Sequence, residues 1–101
     1  MEQETNLYVG IARLELHIPE ARSLKAKRSP TRSLIERIRN RHQVLVTEIQ
    51  HQDLYQRAAF AICAVSTDPV DVESRLQRVE RTIDENWAGN VLRWDLEIIQ
   101  C

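Results

Sequence analysis

A chain of 101 residues with 43% apolar and 29% charged residues, two glycines and three prolines reads as one compact domain rather than a disordered segment. No apolar run approaches the ~20 residues of a membrane span, and the start MEQETN is acidic and polar, so neither a membrane helix nor a secretory signal is expected and the cytoplasm is the default compartment. The formal net charge of -1 hides an asymmetry: Arg22 to Arg41 carries eight Lys or Arg against one acid, Glu36, whereas Asp68 to the end carries eight acids against four Arg.

Residues 1–6 form an acidic tail, and residues 7–101 the domain. LYVGIARLELHI, Leu7 to Ile18, alternates in its second half, with Leu14, Leu16 and Ile18 on one face and Arg13, Glu15 and His17 on the other, which predicts a strand that Pro19 ends. In the basic stretch that follows, Leu34, Ile35 and Ile38 recur at helical spacing. Pro30 leaves two solutions for how that helix begins. Either Ser29 caps a helix starting at Pro30, or a helix starting near Ser23 is kinked; the favoured reading is an early turn over Ser23 to Lys27, a break, and a regular helix from Pro30.

QVLVTEI, Gln43 to Ile49, is a second strand, and RAAFAICAVST, Arg57 to Thr67, a third that is apolar on both faces and therefore central. Asp68 as cap, Pro69 at the first position and Asp71 and Glu73 in the first turn open a second helix, along which Val72, Leu76, Val79 and Ile83 share a face. VLRWDLEII, from Val91, is a fourth, half-exposed strand with Trp94 on its inner face. The order strand, helix, strand, strand, helix, strand predicts an α+β, ferredoxin-like βαββαβ sandwich: a four-stranded antiparallel sheet with two helices on one face. Its other face would then expose Leu7, Val9 and Ile11 beside the third strand, an apolar patch that a homodimer would bury, that another protein would bind, or that is simply tolerated.

Cys63 sits in an apolar run and Cys101 is terminal, so neither has the neighbour a zinc or redox motif needs, and no metal or cofactor is expected. LYVG is similar to the first strand of RNA-recognition domains, but RAAFAICA supplies only Phe60, and Tyr8 shares the parity of Leu14 and Leu16, so both aromatics read as core. His51 and Asp53 in HQDLYQR, with Glu48, Tyr55 and Arg57 nearby, are the best constellation for proton transfer. The loop has no nucleophile, metal cage or phosphate loop beside it, so Asp53 is expected to close a hairpin, Leu54 and Tyr55 to pack, and Arg57 to pair with a carboxylate. Arg37, Arg39 and Arg41 lie where a helix carboxyl end favours cations. Lys25, Lys27 and Arg28 lie where its amino end opposes them by about 0.3–1 kcal/mol each, a cost that a bound anion reverses. Arg22, Lys25, Lys27, Arg28 and Arg32 are therefore the candidate anion- or RNA-binding residues.

LYVGIARLELHIPEARSLKAKRSPTRSLIERIRNRHQVLVTEIQHQDLYQRA resembles the YlxP-like family of small bacterial proteins, most specifically through RSLKAKR and QDLYQRA at this spacing. Pro30 and Thr31 stand where members usually carry helix-favouring aliphatics, Gln50 where Gly is frequent, and Tyr55 where Trp is frequent. The resemblance implies a ferredoxin-like fold and, through the usual placement of the family's genes beside translation and ribosome-maturation genes, a link to RNA or the ribosome. Charge placement and that resemblance together lead us to expect a non-enzymatic accessory protein of translation. The competing expectation is a homo-oligomeric interaction module that uses the open sheet face and has no nucleic-acid role.

Overall fold

Alternation and helical spacing resolve into six elements in the computed structural model, which describes residues 6–101. They are β1 (Tyr8–His17), α1 (Leu24–Arg41), β2 (Leu45–Gln50), β3 (Arg57–Ser66), α2 (Pro69–Asn86) and β4 (Asn90–Gln100). Most of the expected acidic tail, residues 1–5, lies outside the described residues. The strands form one antiparallel sheet in the order β2-β3-β1-β4, so the second strand of each strand-helix-strand unit, β2 and β4, lies at an edge. This is the ferredoxin-like α+β sandwich that the element order predicts.

One parity of β1 faces the helices: Ala12, Leu14 and Leu16 are buried and meet Ile62, Phe60 and Ala58 across the β1–β3 ladder. α2 closes this layer with Val72, Leu76, Val79 and Ile83, and α1 adds Leu34, Ile35 and Ile38. Gly10 sets how closely α2 approaches the sheet. A methyl group there would stand 2.3 Å from Val72 Cγ1 and 2.6 Å from Leu76 Cδ1, inside van der Waals contact. Tyr8 and Trp94 lean on the same core and Phe60 is buried in it, as their parity predicts.

The start of α1 corrects the favoured sequence reading. The helix does not break before Pro30 but runs unbroken from Leu24 to Arg41, with Ser23 as its cap accepting from the Ala26 amide at 3.0 Å and Pro30 inside it. Apolar anchoring after Pro30 and two buried side chains around it, Lys27 and Thr31, hold the turn that the proline weakens. α2 starts as its sequence predicts, with the Asp68 carboxylate accepting from the Val70 amide at 2.9 Å.

Candidate functional site

Because α1 begins at Leu24, Lys25, Lys27 and Arg28 all fall in its first two turns, and its first turn holds no acid. Helix amides point outward there with uncompensated positive charge. One of the three cations leaves the surface. Lys27 is only 4% exposed, and its ammonium donates to the carbonyl oxygens of His51 at 2.8 Å and Arg57 at 3.2 Å. It is therefore not available to an outside anion, a correction to its place among the binding candidates: its long stem reaches under the helix and satisfies its charge on backbone dipoles.

Arg22, Lys25, Arg28 and Arg32 remain exposed. Among the described residues the ion pairs are His51–Glu15, Arg57–Glu15, Arg75–Asp71 and Arg93–Asp95, so no carboxylate of the domain neutralises these four. Glu20, the acid that precedes them in sequence, pairs with none of them. Lys25, Arg28 and Arg32 recur at spacings of three and four along one helical face. Beside that face a groove of about 450 Å³ runs between α1 and β2, rimmed by Arg28 and Arg32 on the helix and by Glu48 and Gln52 on the strand side. Val46 and Phe60 line its floor, and Arg39 closes one end by donating from Nη2 to the Val46 carbonyl at 2.7 Å.

The β2–β3 loop is built differently from the expected His–Asp pair. The Leu54 amide donates to the His51 carbonyl at 3.1 Å, closing a tight turn that puts His51 at φ 64, in the left-handed region a non-glycine residue rarely adopts. Its ring Nε2 lies 3.2 Å from Glu15 Oε1, and Arg57 Nη2 donates to the same oxygen. Asp53 is exposed and contacts neither group, and Leu54 and Tyr55 are exposed rather than packed. Arg57 does find a carboxylate, that of Glu15. Sequence reasoning missed Glu15: its parity with Arg13 and His17 put it on the open face, but only the register, which sets Glu15 beside Ala59 two positions from the His17–Arg57 pair, brings it to the loop.

With the Lys27 ammonium above and Glu15 below, the loop is fastened from both sides of the sheet edge. The stretches RSLKAKR and QDLYQRA, far apart in sequence, thus meet through Lys27 and the carbonyl of Arg57. His42 fastens the other end of α1. Its backbone N–H donates to the Ile38 carbonyl, and its Nε2 lies 2.8 Å from Thr82 Oγ1 on α2. Burial first, then the positive charges of Arg78 and Arg41, hold its imidazole below the usual 6.5. Among the described residues no three His, Cys, Asp or Glu side chains gather as metal ligands, and both Cys63 and Cys101 are free thiols.

Three comparisons bear on what this arrangement belongs to. Residues 9–96 match the family model described as "Protein of unknown function (DUF503)". The chain is 42% identical over 76 residues to "Uncharacterized protein YlxP" of Bacillus subtilis (strain 168), an alignment covering 75% of this chain and 83% of the relative. Its fold is similar to that of the "De novo designed protein Foldit4", with a TM-score of 0.51 and 18% identity over 94% of this chain and 96% of the design, a likeness of fold alone.

Proposed function

Since the chain belongs to the DUF503 family of proteins of unknown function, we propose from its own surface that it is a non-enzymatic accessory protein of translation that contacts RNA through the amino-terminal half of α1. The observation that carries this reading is the set of exposed cations without a carboxylate partner, Lys25, Arg28 and Arg32, on one face running from the first turn to the middle of a helix that has no acid in its first turn. A folded chain gains nothing from that placement unless a negative group arrives from outside. A phosphate backbone supplies such groups at regular intervals along a helix face, and Arg22 before the cap extends the stripe. The cytoplasm, where ribosomal RNA is made and assembled, is the compartment this reading assigns.

Co-sedimentation with purified ribosomal RNA at low salt tests it. The triple charge reversal Lys25→Glu, Arg28→Glu, Arg32→Glu is expected to abolish co-sedimentation, while Arg37→Glu with Arg41→Glu, at the other end of the helix, weakens it far less. Because the reversals at 28 and 32 set like charges four residues apart and next to Glu36, a circular-dichroism melt of each variant separates loss of binding from loss of fold. Equal behaviour of the two variants overturns the reading.

A second reading has an observation of its own. On the face that no helix covers, Leu45 is 75% exposed and Val65 52% exposed, with Leu7 and Ile99 also open. That is more apolar surface than scattered exposure explains, and a second copy laid face to face would bury it. A dimer by sedimentation that Val65→Asp dissolves, with no nucleic-acid binding at low salt, would favour this reading over the first.

A further inference from the structure

We infer that the groove between α1 and β2 holds a single unpaired nucleotide, with its phosphate on Arg28 and Arg32, its base over Val46 and Phe60, and the base edge read by Glu48 and Gln52. This inference rests on the proposed RNA contact and names what that contact would recognise. Size comes first. About 450 Å³ is within the range of small-molecule sites, roughly 300–1,000 Å³, and far more than a lone phosphate needs.

The second observation is the mixture of groups. A groove serving only phosphate would be basic throughout, yet two carboxylates line it, Glu36 on the helix wall and Glu48 on the strand side, where each repels a polyanion. Among the described residues Glu48 is in none of the ion pairs, and both Glu48 and Gln52 are exposed. Glu48 is on the helix-facing parity of β2, directly opposite Phe60 in the ladder, so the acceptor and the apolar floor are neighbours. An ionised carboxylate accepts but does not donate, so it favours a base that presents an amino group over one that presents a carbonyl there, cytosine over uracil.

The groove is also pre-shaped. Lys27 ties α1 to the loop after β2, and Arg39 ties α1 to β2 itself, both through backbone carbonyls, so the walls are fixed at each end while Arg28 and Arg32 stay free between them. A base entering this slot meets walls already ordered, which reduces the conformational cost of binding.

Fluorescence anisotropy with labelled oligocytidine and oligouridine RNA tests the inference on the full chain. Oligocytidine is expected to bind about fivefold more tightly, the worth of one net hydrogen bond. Glu48→Gln should equalise the two oligomers without changing the salt dependence, and Arg28→Ala with Arg32→Ala should weaken both by about tenfold. Cytidine monophosphate competing at concentrations comparable to the oligomer would identify a free nucleotide as occupant, and its failure to compete an RNA strand; uridine monophosphate is the control in both cases. Equal wild-type affinities for the two oligomers, or a preference that survives Glu48→Gln, overturn the groove assignment while salt-sensitive binding keeps the RNA contact. Absence of binding at low salt overturns both.

Discussion

Lys27 and its neighbours Lys25 and Arg28 are chemically alike in the sequence, and only the fold separates their work. The buried ammonium donates to the carbonyl oxygens of His51 and Arg57, and its stem fills space beneath α1. Lys27→Ala should therefore lower unfolding free energy by about 1–3 kcal/mol in urea titrations, whereas Lys25→Ala should stay within about 0.5 kcal/mol. Nothing local could have marked Lys27 as inward, because its partners lie on a loop more than twenty residues away, beyond any periodicity. Glu15 was hidden for the same reason: which carboxylate meets His51 and Arg57 is a property of the β1–β3 register.

His42 gives a pH signature at the same scale. Its folded-state pKa lies below the ordinary 6.5 because burial, then Arg78 and Arg41, disfavour the imidazolium. Above about pH 6.5 both folded and unfolded chains hold it neutral, and it contributes nothing to pH dependence. Below that, the unfolded chain takes up the proton first, so stability falls as pH drops toward the folded-state value. Thermal melts from neutral pH to about pH 5 should show a smaller decline for His42→Gln than for the parent chain; identical declines would contradict the assignment.

Among the elements, α2 was legible from its first residues, since Asp68 and Pro69 combine a cap with a proline at the position that tolerates it, and both act as expected. α1 was legible in its second half and misread in its first. The proline rule is local, while the anchoring of Lys27, Thr31, Leu34 and Ile35 on either side of Pro30 is tertiary and outweighs it. Because Pro30 sits in the helix interior without an amide to donate, Pro30→Ala should stabilise the protein by about 1–2 kcal/mol, the helix gain less the lost restriction of the unfolded chain. No gain would mean that the residue acts as a helix start. Between elements, Gly10→Ala should cost about 1–3 kcal/mol, because its methyl group would collide with Val72 and Leu76 and lift α2 from the sheet; chemical denaturation reads this value.

At the level of the whole molecule, strand and helix order determines the architecture, because two crossover units joined by a hairpin leave few ways to close one antiparallel sheet. The charge asymmetry was equally visible. The groove was not, since it forms where the basic face of α1 comes to rest beside β2, and the sequence placed Glu48 only beside the His51–Asp53 loop, not opposite Phe60. The open sheet face was foreseen from β1, but Leu45, its most exposed apolar residue, comes from the edge strand β2.

Salt dependence of RNA binding separates an electrostatic contact from every alternative use of this surface. A plot of log affinity against log salt concentration for a structured ribosomal RNA fragment should be linear and steep for the parent chain, losing about 0.7–0.9 of slope for each of Lys25, Arg28 and Arg32 replaced by Ala. A slope near zero, or one that the three replacements leave unchanged, would contradict a phosphate contact at the amino end of α1.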